Sequence, residues 1–212
     1  MIISQDVKKY LDDLYELPVL GQMYSQNREA YPIIPKDTAL FLVNILHLKQ
    51  PTLILEIGTC IGFSAALMAQ TLKNAHITTI ERYPLMIEKA KENFAKLKLT
   101  DRITLLEGNA PDILKNLQGG YDLIFLDGGK AQYINFLPRC LRLLKCDGVL
   151  IADNILQKGC IAKDISEIEK RQRTIYNNMR KFLEDITKNQ ELSTVILPIG
   201  DGLSFSVKKE KP

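Results

Sequence analysis

The sequence has no tryptophan, only two histidines and only four cysteines among its 212 residues. His47 and His76 are far apart in the chain, and no two cysteines form a Cys-x-x-Cys pair, so neither a zinc site nor a disulfide framework is indicated. No run approaches eighteen apolar residues, and the first fifteen residues already carry five charged side chains. We therefore expect neither a signal peptide nor a membrane span, and hence a cytoplasmic protein.

Composition and charge are those of an ordinary globular protein. Hydrophobic residues make up 46% of the chain and charged residues 25%, and the formal net charge is +3. This small positive charge permits a nucleic acid as a partner without requiring one. At this length we expect a single domain over residues 1–212, with residues 1–50 forming a helical region that caps it.

The most informative stretch covers residues 53–64. The apolar run 53–57 predicts a buried strand, and Gly58 and Gly62 then mark a tight turn into a helix that begins near Phe63. Such a turn lets a ligand approach the backbone closely, although an ordinary turn of an α/β domain has the same pattern. The spacing differs from Gly-x-Gly-x-x-Gly, so a pyrophosphate is not the first expectation, and Glu56 suits a cation or hydroxyl groups instead.

Strands and helices alternate over the rest of the chain. Further strands are predicted at 76–80, 103–106, 122–126 and 148–152, with helical patterns between them. Two final strands, 194–198 and 203–208, are joined by the hairpin turn 199–202. The pattern predicts a doubly wound α/β fold whose mostly parallel, seven-stranded sheet ends in an antiparallel C-terminal hairpin.

Polar residues follow the predicted strands, at the sheet edge where ligands of such folds bind. They are Glu56, Glu81, Asn109, Asp127, Asp153 and Asn154. Glu81 is placed to accept hydrogen bonds from a ribose diol, and Asn109 either caps a helix or binds an adenine edge. Asp127, Asp153 and Asn154 offer the oxygen ligands that a hard cation such as Mg²⁺ prefers, although Asp-Gly and Asp-Asn are also common turn dipeptides.

A series of motifs in sequential order resembles the cation-dependent O-methyltransferases, a group of class I, Rossmann-like methyltransferases that includes catechol and caffeoyl-CoA O-methyltransferases. The motifs are Leu-Glu-Ile-Gly-Thr-Cys-Ile-Gly-Phe-Ser (55–64), Thr-Ile-Glu-Arg (79–82), Gly-Asn-Ala (108–110), Tyr-Asp-Leu-Ile-Phe-Leu-Asp-Gly-Gly-Lys (121–130), Ile-Ala-Asp-Asn-Ile-Leu (151–156) and Leu-Pro-Ile-Gly-Asp-Gly-Leu (197–203). The likeness covers roughly residues 30–208. It is strongest for a bacterial branch that methylates 5-hydroxyuridine at the tRNA wobble position, through residues 31–34, 158–164 and 170–173.

The resemblance implies S-adenosylmethionine as cofactor and Mg²⁺ or another hard divalent cation. Together with Glu56 and Gly58 of the turn, the candidate cofactor residues are Ile34, Ser64, Glu81, Asn109, Ala110 and Asp127. The implied metal ligands are Asp127, Asp153 and Asn154. Two departures are present, because Gly-Asn-Ala replaces the usual Gly-Asp-Ala and Asp-Gly-Gly-Lys replaces Asp-Ala-Ala-Lys. The likeness also implies a homodimer.

Candidate catalytic residues are Asp127, Lys130, Asp153 and Asn154. Lys130 either accepts the acceptor's proton or stabilises its oxyanion, or else makes a surface or substrate-phosphate contact. Between residues 158 and 181 there are seven basic residues against three acidic ones. This excess suits a phosphate backbone, with Lys158, Lys163, Arg171 and Arg173 as candidate RNA contacts, although a solvated helix face explains the same composition.

The sequence therefore predicts an O-methyltransferase that acts on the tRNA anticodon loop and converts 5-hydroxyuridine to 5-methoxyuridine. Two alternatives stay open. One is a small-molecule O-methyltransferase of the catechol or caffeoyl-CoA type, and the other is a non-catalytic module that binds RNA or the cofactor.

Overall fold

A computed structural model describes residues 4–210 of the chain. The helices are α1 (Gln5–Leu14), α2 (Gly21–Asn27), α3 (Lys36–Lys49), α4 (Phe63–Thr71), α5 (Pro84–Lys96), α6 (Ala110–Asn116), α7 (Tyr133–Leu143) and α8 (Arg173–Lys188). The strands are β1 (Leu53–Ile57), β2 (His76–Glu81), β3 (Ile103–Glu107), β4 (Tyr121–Leu126), β5 (Leu144–Ala152), β6 (Leu192–Leu197) and β7 (Leu203–Lys208).

All seven strands form one sheet in the order β3-β2-β1-β4-β5-β7-β6. The five strands β1 to β5 are parallel, whereas β7 pairs antiparallel with both β5 and β6. The strand order reverses between β1 and β4, so the carboxyl ends of these two strands border the crevice that open α/β sheets use for ligands. The predicted fold class, a mostly parallel sheet with an antiparallel C-terminal hairpin, is confirmed.

Two apolar clusters cover the two faces of the sheet. Strand side chains alternate between them, so Ile54 packs in the cluster that contains α3 and α4, whereas Leu55 and Ile57 pack in the cluster that contains α7 and α8. Glu56 is two residues after Ile54, so its side chain lies on the same face of the sheet and points towards α4. The alternation explains how a carboxylate comes to lie inside an otherwise apolar strand.

Three local features differ from the sequence-based prediction. The short helix α2 was not predicted, and neither were the three 3₁₀ helices between residues 157 and 172. The apolar residues Leu137, Cys140, Leu141 and Leu144 have helical spacing, but the helix ends at Leu143 and Leu144 is the first residue of β5. The register of β5 against β4 then shifts between Leu144 and Val149, where Asp147 has a positive φ of 59°. Because the pairing is irregular here, the first half of β5 does not show the alternation of apolar and polar residues that predicts a strand.

No helix within residues 4–210 is both long enough and apolar enough to span a membrane. At the amino end, α3 begins beside the turn that joins β6 to β7. The Asp37 carboxylate accepts a hydrogen bond from the Gly200 N–H at 2.9 Å. This contact brings a residue of the amino-terminal region to the carboxyl edge of the sheet.

Candidate functional site

The turn after β1 is in backbone contact with the turn after β4. Gly58 has a φ of 105°, and a Cβ atom built on it would lie 2.7 Å from the Gly128 Cα, while a Cβ on Gly128 would lie 2.7 Å from the Gly58 Cα. The Asp127 N–H donates to the Ile57 carbonyl at 2.9 Å, which extends the β1–β4 pairing into the two turns. A side chain fits at neither glycine, so the surface of this cradle is bare backbone.

Glu56 lies beneath this cradle and is fully buried. Its Oε2 accepts a hydrogen bond from the Thr79 hydroxyl, which in turn lies 2.6 Å from the Thr59 hydroxyl. Its Oε1 has no hydrogen-bond partner among the described residues. Burial raises the pKa of the Glu56 carboxyl to about 7, although the nearby Ser64 hydroxyl and the hydrogen bond from Thr79 oppose the increase. Near neutral pH this carboxyl is therefore poised between its two protonation states, and a cation would favour the ionised one.

Glu81, at the end of β2, is held rigidly by backbone groups. Its Oε2 accepts from the Cys60 N–H at 3.0 Å, and its Oε1 accepts from the N–H groups of Arg82 and Tyr83 at 2.8 and 3.0 Å. A carboxylate has about four acceptor positions, so one position remains for a ligand hydroxyl. The ribose-binding role of Glu81 stays a prediction.

The other candidate cofactor residues lie in different environments. Asn109 is the exposed residue before α6, and within the described chain its side chain makes no capping hydrogen bond, so its amide is left for another partner. Ala110 begins that helix. Ser64 is in the first turn of α4 and only 6% exposed, facing Glu56. The Ile34 side chain, in contrast, packs in the apolar core.

Asp127 and Asp153 follow neighbouring strands and lie side by side at the sheet edge. Leu126 pairs with Ala152, and the Asp153 N–H donates to the Leu126 carbonyl at 2.9 Å. Asp153 is 1% exposed; its Oδ1 accepts from the Asn154 N–H, whereas its Oδ2 is buried and has no protein partner in residues 4–210. Asn154 has a positive φ of 57°, which turns the chain sharply after β5.

Burial and mutual repulsion disfavour two charges in this position. Burial raises the pKa of Asp127 well above its usual range, and the Asp153 carboxylate raises it further. Burial likewise raises the pKa of Asp153, while the Asn154 N–H and the Lys130 charge oppose the increase. A bound cation would remove both penalties, because it supplies the opposite charge that the protein interior lacks.

The chemistry of these side chains fits a hard divalent cation. No group of three or more His, Cys, Asp or Glu side chains with metal-binding geometry occurs in the described part of the chain. The set is instead two carboxylates and the amide of Asn154. Mg²⁺ is commonly held by one or two carboxylates while it keeps several waters, so a small oxygen set with one partnerless carboxylate oxygen suits it.

Lys130 is near both carboxylates but bonds to neither. It follows Gly129, is partly exposed, and its charge lowers the pKa of Asp127 and of Asp153. Within residues 4–210 it forms no ion pair of 4 Å or less.

Sequence reasoning missed two further acids near Asp153. Asp37 and Asp201 both raise the pKa of Asp153, and both accept backbone hydrogen bonds, from Gly200 and Lys158 respectively. Their sequence signals were those of a helix start and a hairpin turn. The Gly-Asp-Gly spacing of the turn was the only available indication that Asp201 has a fixed position.

The basic residues of the segment 158–181 differ in their exposure. Lys158 and Lys163 are exposed, and the backbone N–H of Lys158 is tied to Asp201 beside the carboxylate pair. Arg171 is exposed and pairs with Glu169 at 2.7 Å. Arg173 is partly buried and its Nε donates to the Ile168 carbonyl at 3.0 Å, so it supports the segment's own conformation.

Comparison with known proteins identifies the family. The sequence profile of the O-methyltransferase family matches residues 2–209. A catechol O-methyltransferase of Niastella koreensis is 28% identical over 98% of this chain and 98% of its own length. A crystal structure of a Staphylococcus aureus protein, proposed to be a caffeoyl-CoA O-methyltransferase, is 34% identical with a TM-score of 0.84 and covers 95% of this chain and 98% of that one.

A further solved structure, the S-adenosylhomocysteine-bound methyltransferase PaMTH1 of Podospora anserina, is 24% identical with a TM-score of 0.86 and covers 98% of this chain and 97% of that one. At this identity the likeness supports the fold alone. The profile match extends over nearly the whole chain and includes the glycine turn, both carboxylates and the closing hairpin. The chain belongs to the S-adenosylmethionine-dependent O-methyltransferase family, together with these catechol and caffeoyl-CoA O-methyltransferases.

Proposed function

We propose that the protein transfers the methyl group of S-adenosylmethionine to an acceptor oxygen held beside a divalent cation, Mg²⁺ or a similar ion, at Asp127, Asp153 and Asn154. One observation carries the proposal. The Oδ2 of Asp153 is buried without a protein partner among the described residues, on the strand next to Asp127. Leaving a buried carboxylate oxygen unpaired is costly, so we infer that its partner comes from outside the chain.

We assign the cofactor to the glycine cradle and the strand ends around it. The proposed contacts are Ile34, Glu56, Gly58, Ser64, Glu81, Asn109, Ala110 and Asp127. Glu81 supports the assignment because backbone N–H groups fix its carboxylate while leaving an acceptor position open. Glu56 supports it because a buried carboxyl with a pKa near 7 favours a cationic ligand, and S-adenosylmethionine carries a sulfonium.

The overall reaction is a displacement at carbon. A C–O bond forms with an electron pair of the acceptor oxygen, and the methyl C–S bond breaks with its electron pair left on the sulfur, which gives S-adenosylhomocysteine. The proton of the acceptor oxygen passes to Lys130 or to water. The cation, when bound, lowers the pKa of the acceptor hydroxyl and orients it. The protein's remaining task is alignment, because a sulfonium methyl is already activated and rate is gained mainly by fixing the oxygen in line with it.

Lys130 has two proposed roles in this reaction. Its ammonium group, near both carboxylates, would stabilise a developing oxyanion by charge, and its neutral amine would accept the acceptor's proton. A Lys130→Arg variant separates them, because arginine keeps the charge and does not lose its proton in proteins. Retained turnover in Lys130→Arg would support charge stabilisation, and lost turnover would support proton transfer.

We further propose that the acceptor is 5-hydroxyuridine at the wobble position of tRNA. The basic segment supports this, because Lys158 is bonded through its backbone to Asp201 near the carboxylate pair and Lys163 is exposed close by in sequence. In 5-hydroxyuridine two neighbouring oxygens can chelate one cation, and an anticodon base is single-stranded, so it can enter a pocket without opening a duplex.

A second candidate acceptor is a small phenol with two adjacent oxygens. The similarity to proteins named catechol and caffeoyl-CoA O-methyltransferases favours it. Here the basic segment would have no part in acceptor binding.

We also propose that the protein is a homodimer; a monomer mass in light scattering would contradict that proposal.

The deciding experiment offers one preparation three acceptors. Purified protein, radiolabelled S-adenosylmethionine and Mg²⁺ are incubated with 5-hydroxyuridine-bearing tRNA, with catechol and with caffeoyl-CoA, each with and without EDTA. Transfer to tRNA that EDTA abolishes supports the RNA proposal, and transfer to the small acceptors alone contradicts it. Cofactor binding without any transfer would favour a non-catalytic module.

Matched variants test the basic segment. Lys158→Ala combined with Lys163→Ala should raise KM for tRNA and leave KM for catechol unchanged. Lys96→Ala is the control, because Lys96 is an exposed lysine on α5, outside the segment. An equal effect of both substitutions on tRNA would show that net charge alone is responsible.

A further inference from the structure

A buried tyrosine lies behind the carboxylate pair. Tyr133 is the first residue of α7 and is fully buried. Its hydroxyl lies 2.9 Å from the Leu126 carbonyl oxygen and 3.2 Å from the Asp153 carbonyl oxygen. These two carbonyls belong to the last residue of β4, directly before Asp127, and to Asp153, directly after β5. The hydroxyl therefore bridges the two strands at the point where the proposed cation ligands begin.

The bridge completes a small hydrogen-bonded frame. The Leu126 carbonyl accepts from the Asp153 N–H as well as from Tyr133, and the Asp127 N–H is tied to β1 through the Ile57 carbonyl. Each carboxylate thus has its own backbone fixed on one side by strand pairing. The Tyr133 hydroxyl adds a second connection between the two strand ends, because its single proton is shared between the Leu126 carbonyl, which precedes Asp127, and the Asp153 carbonyl.

The same residue closes the loop that carries Lys130. This loop, residues 127–132, contains Gly128 and Gly129 and is therefore intrinsically permissive in conformation. The Tyr133 ring fixes its far end, because it packs edge-on against Phe182 of α8 with ring centroids 5.4 Å apart. Asn178 of the same helix adds a second tether, since its side-chain amide donates to the Ala131 carbonyl at 2.8 Å.

We propose that Tyr133 is a positioning residue whose hydroxyl sets the spacing of Asp127 and Asp153 and thereby the affinity for the divalent cation. The inference rests on the proposed function, since it assumes that these carboxylates bind the cation. Tyr133 acts through the two backbone carbonyls and touches neither cation nor substrate. Groups that orient metal ligands in this way typically change metal affinity or activity by about 10- to 100-fold when they are removed.

The test measures cation binding directly, without turnover. Mn²⁺ is the probe, because its unbound form is counted by electron paramagnetic resonance. Tyr133→Phe removes only the hydroxyl and should raise the Kd for Mn²⁺ about tenfold or more. The Kd for S-adenosylhomocysteine, measured by calorimetry without metal, should change less than the Kd for Mn²⁺. Of the proposed cofactor contacts only Asp127 follows a bridged strand, whereas Glu56 and Glu81 lie on β1 and β2.

Tyr176→Phe is the matched control. Tyr176 is also buried, and its hydroxyl donates to a backbone carbonyl, that of Lys163 at 2.7 Å, away from β4 and β5. The control should bind Mn²⁺ with the affinity of the wild type. Circular dichroism melts of all variants fix a measuring temperature at which each is folded.

The outcomes separate the inference from the function it rests on. Wild-type protein whose Mn²⁺ binding does not depend on Asp153, as judged by Asp153→Ala, would overturn both. Asp153-dependent binding that Tyr133→Phe leaves unchanged, or that Tyr176→Phe weakens equally, would overturn the inference alone. If Tyr133→Phe does not fold, Asn178→Ala is the variant to measure. It should also raise the Kd for Mn²⁺, by a smaller factor. An unchanged Kd would contradict the proposed tethering of the loop.

Discussion

The buried carboxyl of Glu56 makes the stability of the protein depend on pH in a direction opposite to that of most acidic side chains. Burial raises its pKa from 4.5 to about 7. Between these values the folded state therefore holds a proton that the unfolded state has released. Stability falls with rising pH wherever the folded state binds more protons, so this group lowers the free energy of unfolding as pH rises from about 4.5 to above 7.

The magnitude follows from the two pKa values. One pKa unit corresponds to about 1.4 kcal/mol, and integrating over the titration from pH 5 to pH 8 gives a loss of about 2.5 kcal/mol. Glu56→Gln removes the titration and keeps the size of the side chain. The stability of the wild type minus that of Glu56→Gln should therefore fall by about 2.5 kcal/mol across this range.

Urea unfolding of both proteins without cofactor or metal, at pH 5, 6, 7 and 8, measures this difference. Asp127 and Asp153 are present in both proteins, so their contributions cancel apart from the coupling of Asp127 to Glu56. Glu107→Gln is the control, because that side chain is 50% exposed. Parallel curves for the wild type and Glu56→Gln, or a difference that grows with pH, would refute the reasoning about burial.

Two further predictions concern the amino-terminal and the carboxyl-terminal ends of the parallel strands. Asp122 accepts hydrogen bonds from Thr52 and Leu53 and pairs with Lys145; burial alone would raise its pKa, but these partners outweigh burial and hold it at about 2. Its ionised form should contribute about 2 kcal/mol to the free energy of unfolding in neutral solution, and this contribution should be lost as pH falls from about 4 to 2. In urea unfolding at several pH values, Asp122→Asn should show neither the contribution nor its loss. A Cβ on Gly58 would meet the Gly128 backbone at 2.7 Å at a positive φ, so Gly58→Ala should cost about 2 to 4 kcal/mol and weaken S-adenosylhomocysteine binding. Gly159→Ala, at a positive φ with nothing within 4 Å, isolates the backbone strain, and an equal cost in both variants would show that the close approach is unimportant.

Local patterns in the sequence predicted strands and turns correctly, because the formation of a strand or a turn depends mainly on residues close together in the chain. The apolar run 53–57 and the two glycines after it specify a strand and a turn whatever lies around them, and both were predicted within a residue of their observed positions. Asp127 and Asp153 were placed at one edge because the carboxyl ends of parallel strands meet there. In each case residues close together in the chain, or the polarity of a sheet, were sufficient.

Tertiary structure alone decided how these parts meet. Asp37 bonds to Gly200, 163 positions away, only because β7 inserts between β5 and β6 and carries the hairpin turn over the start of α3. The Tyr133 bridge and the unpaired oxygen of Asp153 depend on side-chain directions that no periodicity encodes. Apart from the first half of β5, the sequence by itself determined where the parallel strands lie and which acids follow them, because those choices depend on neighbours along the chain. Only the folded chain decided which acid lost its hydrogen-bond partners, because desolvation depends on neighbours in space.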